Sequence, residues 1–271
     1  MGTHQLDDIE RGLLQALQID GRVPFLLVGE LLGVSDQTVA WRYARLRATH
    51  GARVTGTLWS EAVGQQQWLV RVRRAPEAAA GLARALARQD DTSWVRVASG
   101  GAEIVCMARM AADASAEDHA VLSRLPRTPR VTEVSALGQD GRAGYRQLAE
   151  VTGWSQTTVR RRLAELRRAG VLYFDVDIDH TLLGLRTPAT LWLSVEPGQL
   201  VAAGEALARH PQVGFAAATT GPYNLYAGVA CASTRALYEY LTGPIAALPG
   251  LRSVETAPIM RIFKQNSPFI N

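Results

Sequence analysis

Lysine, cysteine and long apolar runs are scarce in this sequence. Lys264 is the single lysine among 29 basic residues, so arginine, whose planar fork suits phosphate and guanine, carries almost all of the positive charge. The two cysteines, Cys106 and Cys231, stand alone in apolar runs. That spacing excludes a disulfide framework and indicates buried thiols in a reducing cytosol. No apolar stretch reaches the about 20 residues that are needed to span a bilayer.

Signals for export, metal binding and disorder are missing too. The opening residues MGTHQLDD lack the basic-then-apolar pattern of a signal peptide, and the five histidines show no metal-ligand spacing. Hydrophobic residues make up 47% of the chain, which excludes disorder by composition. A net charge of +4 suits a polyanionic partner. We therefore expect a cytoplasmic protein that needs neither a metal nor a cofactor.

The chain contains an internal repeat at an offset of about 120 residues. The segment 20–46 reads DGRVPFLLVGELLGVSDQTVAWRYARL, and the segment 140–166 reads DGRAGYRQLAEVTGWSQTTVRRRLAEL. A looser match relates ALARQDDTSWVRVASGGAEIVC (85–106) to ALARHPQVGFAAATTGPYNLYA (206–227). The sequence therefore predicts two copies of one helical unit, each followed by one mixed unit.

The helical unit has the pattern of a helix-turn-helix. Apolar spacing predicts helices over about 6–18 and 24–32, the second with Phe25, Leu27, Val28 and Leu31 inward. Gly33 ends the second helix and Ser35 caps a third, about 35–48, with inward residues Val39, Tyr43 and Leu46. In copy two the pair is about 145–152 and 155–169, with inward residues Leu148, Val151, Val159, Leu163 and Leu166.

A helix-turn-helix places its second helix in the major groove of DNA, N-terminal residues first. The residues expected to contact DNA in copy two are Ser155, Gln156, Thr157, Thr158, Arg160, Arg161, Arg162 and Arg167. Those in copy one are Gln37, Thr38, Arg42 and Arg45. The alternative for the arginine run is a solvated basic helix face, and Arg162, which is repeated as Arg42, could support the fold instead of a base contact.

The two copies differ in charge. Residues 140–170 hold seven arginines against three acidic residues, and residues 20–50 hold four against three. Ala40 and Trp41 stand where copy two has Arg160 and Arg161, and Trp41 could equally pack on the neighbouring mixed unit. Because each phosphate contact adds about −0.9 to the slope of log affinity against log salt, we expect copy two to bind DNA better.

The mixed units predict a ferredoxin-like βαββαβ sandwich. Copy two shows strands or helices at Thr190–Val195, Gln199–Arg209, Val213–Thr219, Asn224–Val229, Arg235–Leu241 and Ser253–Ile262, after a strand at Leu172–Ile178. Copy one shows them at Trp68–Arg73, Glu77–Arg88, Trp94–Ala98, Glu103–Ala108, 115–124 and Arg130–Ser135. The fold class is thus α+β, two tandem units of a winged-type helix-turn-helix and a βαββαβ domain, divided as 1–59, 60–136, 137–179 and 180–271.

This arrangement resembles the Lrp/AsnC (feast/famine) family of transcriptional regulators. The resemblance covers nearly the whole chain, twice, and rests on Asp-Gly-Arg, on Gly-x-Ser-x-x-Thr-Val-x-x-Arg, and on TGPYNLYAGV in the central hairpin. It implies that the mixed, ligand-sensing (RAM) units form homo-oligomers and bind amino acids or other small effectors near the hairpin glycine. The residues so implied are Ser99, Gly100 and Glu103 in copy one, and Thr220, Gly221, Tyr223 and Asn224 in copy two. Plain turn chemistry is the alternative for this hairpin, and Asn224, where the family often has Asp, argues against a free amino acid.

Copy two has no counterpart of the leading helix of copy one. Only Ala136-Leu137-Gly138-Gln139 stands between the last strand of copy one and Asp140. Either the second unit is a reduced one or a segment is lacking here. A reduced unit would leave Leu148, Val151 and Leu163 partly bare unless another part of the molecule covered them.

The function indicated is a sequence-specific regulator that binds double-stranded DNA and is modulated by a small-molecule effector, and we expect no enzymatic activity. One alternative is a sirohaem decarboxylase-like enzyme, since such enzymes resemble the same two-unit architecture. They need His and basic side chains around the tetrapyrrole carboxylates, and the strand Val213–Ala218 has neither. Another alternative is a ligand-binding or assembly protein with vestigial DNA-binding heads.

Overall fold

The elements of the fold alternate between helical heads and strand-rich units, as the repeat predicts. The computed structural model describes residues 6–58, 64–73, 75–89, 91–111 and 140–265. The elements of the first half are α1 (Asp8–Ile19), α2 (Phe25–Leu32), α3 (Asp36–His50), β1 (Arg53–Leu58), β2 (Gln65–Arg73), α4 (Pro76–Ala87), β3 (Thr92–Ala98) and β4 (Glu103–Ala111). Those of the second half are α5 (Tyr145–Thr152), α6 (Gln156–Arg168), β5 (Leu172–Asp177), β6 (Thr187–Val195), α7 (Leu200–Ala208), β7 (Val213–Ala218), β8 (Leu225–Cys231), α8 (Thr234–Tyr240) and β9 (Leu251–Ile262).

The α+β class and the tandem arrangement are confirmed, and the predicted bounds differ from these by at most three residues. The expected helix at 115–124 and the expected strand Arg130–Ser135 lie outside the described residues, as do the domain boundaries after 59 and 136. None of the helices in the described ranges is long and apolar enough to cross a membrane. Cys106 and Cys231 are both free and buried, as expected.

The first head is a complete helix-turn-helix. Asp7 and Glu10 cap α1 reciprocally, and Ser35 caps α3 by accepting from the Thr38 N–H at 3.1 Å. Gly33 ends α2 in the left-handed conformation, at φ 68°. The helices bury a shared core of Leu13, Leu14, Leu17, Val28, Val39, Tyr43 and Leu46.

One part of the predicted core was wrong. Leu27 and Leu31 were expected inward, but they are 48% and 80% exposed. The helix α2 is only eight residues long, and Val28 and Gly29 are the buried positions on it. With Glu30 as its single polar side chain, α2 has too little periodicity to show which of its faces is covered.

The second head buries its core although α5 is its first described helix. Leu148 and Leu163 are 0% and 3% exposed. They pack with Val159 and Leu172, and Leu58 from the strand β1 of the first head also contacts this cluster. The expectation for Val151 as a core residue was wrong, because it is 44% exposed.

The two heads share a two-stranded wing. The strands β1 and β5 pair antiparallel along their whole length, from Arg53 opposite Asp177 to Leu58 opposite Leu172. In turn, Val176 on β5 and Ile178 directly after it pack in the core of the first head. Each head is therefore completed by the other half of the chain.

The mixed units form one seven-stranded sheet with the order β2-β4-β3-β9-β6-β8-β7. The second unit contributes β9-β6-β8-β7, the strand order of a ferredoxin-like domain. The long strand β9 pairs with β6 through residues 251–258 and with β3 through residues 259–262, so it joins the two units. Helices α7 and α8 cover one face of the second unit and α4 covers one face of the first.

Candidate nucleic-acid interface

Helix α6 is held by its cap and by two core residues. Ser155 accepts a hydrogen bond from the Thr158 N–H at 3.1 Å, and its hydroxyl lies 2.9 Å from the Thr158 hydroxyl. Val159 and Leu163 are buried against the rest of the head. The opposite face of α6, which begins with Gln156 and Thr157, is therefore turned outward.

Arginines dominate this outward face. Arg161 and Arg162 both reach Glu165, with N–O distances of 3.2 and 2.9 Å, and keep 63% and 41% of their side chains exposed. Arg160 is exposed, and within the described part of the chain it forms no ion pair. Exposed pairs of this kind contribute about 0.3–0.5 kcal/mol, so a phosphate can compete for Arg161 and Arg162.

The arginines of α3 are held by the leading helix α1. Arg42 pairs with Asp7, and Arg45 pairs with Glu10, whose side chain is 0% exposed. Burial alone would raise the pKa of Glu10, but hydrogen bonds from Arg45 and the Asp7 backbone, with the charge of Arg45, outweigh it and lower the pKa. Arg42 keeps only 18% of its side chain exposed. These two arginines therefore have a partner before DNA arrives.

What α3 presents instead is neutral or acidic. Gln37 and Asp36 are exposed and Thr38 is partly buried. Trp41 is 59% exposed, and the guanidinium carbon of Arg45 lies 5.0 Å from the centre of its ring. The side chain of Asp36 accepts from the Gln37 N–H at 2.8 Å and leaves a negative charge at the start of the helix.

The two copies carry opposite charges at one position of the recognition helix, and no leading helix is described in copy two. At the position of Arg45, copy two has Glu165, 120 residues further on. Within α6, Glu165 forms an ion pair with Arg162. In copy one, the equivalent Arg42 pairs instead with Asp7, which caps another helix, α1. Arg161 and Arg162 of α6 thus have their carboxylate partner on the same helix.

The repeated Asp-Gly-Arg turns lock the heads together. Arg22 donates to the carbonyl oxygens of Gly141 and Ala143 at 2.6 and 3.0 Å. Arg142 donates in return to Gly21 and Val23 at 2.8 and 3.1 Å. The contacts are reciprocal, as across a two-fold axis, although both arginines belong to one chain.

Aromatic side chains and carboxylates add further contacts on both sides of this lock. Arg142 lies over the ring of Phe25 at 4.1 Å, and Arg22 lies over that of Tyr145 at 5.2 Å. Arg47 pairs with Asp140 at 3.0 Å, and Arg167 pairs with Asp20 at 2.9 Å. Arg167, expected to contact DNA, therefore also ties α6 to the first head.

Glycine is required at the centre of the lock. A Cβ on Gly21 would come within 2.6 Å of Phe174 Cβ and of Val54 Cγ1. A Cβ on Gly141 would come within 2.8 Å of Val54 Cγ1, and the Gly141 N–H donates to the Val54 carbonyl at 2.8 Å. The sequence pattern shows the repeat of these glycines but not their purpose.

Some of the hairpin residues implied as an effector site already form hydrogen bonds within the protein. Asn224 accepts from the Val195 N–H and donates to the Val195 carbonyl, both at 2.8 Å. The Thr219 hydroxyl donates to the Tyr223 carbonyl at 2.8 Å. Thr220 and Gly221 remain exposed at the tip, with Gly221 at φ 104°. Of the four implied residues of copy two, these two are the most exposed.

The corresponding residues of copy one differ. Ser99 and Gly100 form a tight turn with positive φ angles of 52° and 66°. Glu103 is 2% exposed, and it accepts from Arg71 Nη2 at 2.7 Å and from the Trp192 indole at 3.1 Å. Arg71 also contacts Glu255, which lowers the pKa of the Glu255 carboxyl against the effect of burial. The structure therefore places Glu103 in an ionic cluster between the mixed units, whose members Arg71, Trp192 and Glu255 no sequence motif indicated.

Comparisons with known proteins agree with this architecture. The AsnC-type helix-turn-helix domain matches residues 6–47 and 134–167, and the Lrp/AsnC ligand binding domain matches residues 189–269. The HTH-type transcriptional regulator FL11 of Pyrococcus horikoshii is 26% identical over 135 residues, which cover 49% of this chain and 89% of that protein. An uncharacterized HTH-type transcriptional regulator of Pyrococcus furiosus, PF1231, is 28% identical over 129 residues, 47% of this chain and 87% of that protein.

A likeness to a solved protein extends over nearly the full length of the chain. The siroheme decarboxylase NirDL superposes with a TM-score of 0.64 at 14% identity and covers 96% of this chain and 94% of its own. At this identity the likeness shows the tandem fold alone. The family matches cover more than half of the sequence and both heads. The chain is therefore a member of the Lrp/AsnC family of DNA-binding transcriptional regulators.

Proposed function

We propose that this regulator reads its operator mainly through α6 and only weakly through α3. The observation that carries the proposal is the different engagement of the two sets of arginines. Arg160 and Arg161 stand on an open face, whereas Arg42 and Arg45 are paired with Asp7 and Glu10. The N-terminal residues Ser155, Gln156, Thr157 and Thr158 are in position to approach base edges or phosphates, as in other helix-turn-helix proteins.

The test is a gel shift on the DNA upstream of the protein's own gene, over a range of salt concentrations. Replacing Arg160 and Arg161 by Ala is expected to weaken binding by about 10-fold or more and to flatten the salt slope by about 2. The equivalent change in copy one, Trp41→Ala, is expected to cost much less. Arg84→Ala, on the exposed face of α4 in the mixed unit, serves as a control. Unchanged affinity and slope in the Arg160/Arg161 double variant would contradict the proposal.

The effector and the oligomeric state belong to the same proposal. The ligand binding domain match at 189–269 supports modulation by a small molecule, an amino acid or another metabolite. Family membership supports assembly of further copies through the mixed units. We expect no catalytic activity, and the response to a ligand is tested by repeating the gel shift with a panel of metabolites.

A sirohaem decarboxylase-like activity is the second candidate, favoured by the full-length likeness to NirDL. Against it, β7 reads VGFAAA and brings neither His nor basic side chains to the sheet. Titration with sirohaem, followed by visible absorption and carbon dioxide release, separates the candidates. A bound-tetrapyrrole spectrum together with turnover would establish the enzyme. DNA binding without any spectral change on adding sirohaem would support the regulator.

A further inference from the structure

The outward face of α3 is largely apolar where that of α6 is charged. Helical spacing places four exposed residues along this face of α3, namely Gln37, Ala40, Trp41 and Ala44. The repeat places at the same positions of α6 the residues Thr157, Arg160, Arg161 and Ala164. The two helices therefore differ in the kind of chemical group that they present, and not in charge alone.

Trp41 takes no part in the core of the first head. It is 59% exposed and belongs to none of the hydrophobic clusters that the described residues form. On the same helix, Tyr43 and Leu46 are buried in the core. Because most of the Trp41 ring stays in water in the folded protein, the favourable free energy of burying it is available to a partner.

The Trp41 ring is held in place from below. Arg45 follows one turn later, and its guanidinium carbon lies 5.0 Å from the centre of the ring. Arg45 is itself paired with the buried carboxylate of Glu10 on α1. The cation beneath the ring is therefore fixed by a second helix, which reduces the side-chain entropy that Trp41 loses when it binds a partner.

The neighbours of Trp41 on this face are small. Ala40 precedes it and Ala44 follows one turn later, and both are exposed. Alanine side chains let a helix approach another surface closely, so the ring projects furthest from this part of α3. Trp41 lies in the second turn of α3, and a recognition helix presents its N-terminal residues to the base edges in the major groove.

We propose that Trp41 recognises thymine methyl groups in the major groove, so that A·T pairs specify the half of the operator bound by α3. The C5 methyl of thymine projects into that groove and is recognised by apolar side chains. Gln37, one turn before Trp41, suits the adenine of such a pair, because its amide can bind N6 and N7 together. Arg160 and Arg161 of α6 suit guanine instead. The inference rests on the proposed function and adds what α3 recognises.

A methyl contact responds to salt differently from a phosphate contact. It releases no counterions, so the preference for thymine over a base without the methyl should not change with salt. The carboxylate of Asp36 at the start of α3 disfavours a nearby phosphate, and its charge has no such effect on a neutral methyl group. Salt dependence therefore separates a base contact of Trp41 from a contact with the DNA backbone.

The experiment is a gel shift with operator DNA in which deoxyuridine replaces every thymidine of the α3 half, as located by footprinting. Deoxyuridine lacks the C5 methyl and keeps the base pair. The wild type should bind this duplex about fourfold more weakly for each contacted methyl, the factor expected for burying one such group. Trp41→Ala should bind both duplexes equally. The wild-type ratio should be the same at about 50 and about 200 mM salt.

Three further variants separate the ring from its size and polarity. Trp41→Phe keeps an apolar ring and should retain part of the preference for thymidine, whereas Trp41→Gln should lose it. Trp41→Arg copies α6, so it should bind more tightly, steepen the salt slope by about 1 and lose the preference. Because Trp41 is exposed, all these variants should keep the wild-type melting temperature. Arg84→Ala should retain the full preference.

The outcomes distinguish this inference from the proposed function. Equal binding of both duplexes by the wild type, an undiminished preference in Trp41→Ala, or an α3 half without thymidine would overturn the inference. A surface of Trp41 that binds another protein instead of DNA would give the first of these results. If the Arg160/Arg161 double variant is still weakened, the proposed function stands without the inference. If that variant binds like the wild type, the proposed function fails whatever the deoxyuridine result.

Discussion

Asn224 makes a pair of hydrogen bonds of which a carboxylate could make only one. Its amide accepts from the Val195 N–H and donates to the Val195 carbonyl, and so fastens the hairpin to the end of β6. An aspartate could only accept, and it would place a charge against the Val195 carbonyl oxygen. Asparagine at this position is therefore a structural choice that the hairpin motif alone does not explain.

Asn224→Asp is accordingly expected to lower the free energy of unfolding by about 1–3 kcal/mol at neutral pH, since it leaves a buried acceptor without its donor. Urea unfolding followed by circular dichroism measures this. The matched control is Thr220→Asp at the exposed tip of the same hairpin, which should change stability by less than about 0.5 kcal/mol. Equal stability of Asn224→Asp and the wild type would show that these two bonds contribute nothing.

Glu10 gives the first head a defined response to acid. Its folded-state pKa is lowered, so its stabilising effect is complete above its ordinary pKa of 4.5 and is lost as the pH falls through the lower folded value. Glu10→Gln should therefore cost about 1–3 kcal/mol at pH 7, and its difference from the wild type should shrink below about pH 4.5.

The measurement is urea unfolding of both proteins from pH 7 to pH 3. Glu150→Gln serves as the control, because Glu150 is the repeat equivalent of Glu30 on an exposed face and keeps 67% of its side chain exposed. Its stability should follow the wild type at every pH. A difference between Glu10→Gln and the wild type that stays constant to pH 3 would refute the role assigned to the Glu10 charge.

At the scale of elements, the Asp-Gly-Arg turns set how the two heads meet. Arg142 donates to two backbone carbonyls and covers the ring of Phe25, and Arg22 does the same in reverse. Arg142→Ala and Arg22→Ala should each lower the free energy of unfolding by about 1–3 kcal/mol, and by similar amounts, because the contacts are reciprocal.

Hydrogen exchange at residues 21–24 and 141–144 should also rise in both variants. Arg146→Ala is the control, since Arg146 is 84% exposed and makes one long pair with Glu150 at 3.7 Å. If only one of the two lock variants is destabilised, the heads are not joined symmetrically.

Elements with a clear period could be predicted from the sequence, and those that depend on partners far along the chain could not. Val39, Tyr43 and Leu46 were assigned to the core because they recur on α3 at spacings of four and three. The prediction for Leu27 and Leu31 was wrong because Glu30 is the single polar side chain of α2, so the sequence does not show which face is covered. The strand β1 was not predicted, since Gly56 interrupts its pattern, although alignment with β5 through the repeat would have indicated it.

The residues of the candidate DNA-binding site also fall into those that could be predicted from the sequence and those that could not. The outward arginines of α6 followed from helical spacing alone. The pairing of Arg42 and Arg45 did not, because their partners Asp7 and Glu10 lie 35 residues away on α1.

At the scale of the whole molecule, two unequal heads in one chain predict an operator with unequal halves. On the proposed function, a single chain would place α6 on one half and α3 on the other, and only α6 would present an arginine-rich open face. Randomising the half bound by α6 should therefore weaken binding by about tenfold or more relative to randomising the other half.

Hydroxyl-radical footprinting locates the two halves, and gel shifts on the two altered duplexes measure the loss. A duplex lengthened outside the footprint provides the control. Equal losses from both halves would mean that α3 reads DNA as well as α6.

The shared wing has a consequence for how the regulator behaves at low copy number. The strands β1 and β5 come from one chain, so the heads that they join meet at an effective concentration on the order of millimolar, whatever the dilution. A pair of heads assembled from separate chains would form in proportion to the square of their concentration. Here the number of complete head pairs rises linearly with each chain that is made, and a few molecules in a cell are as well assembled as many.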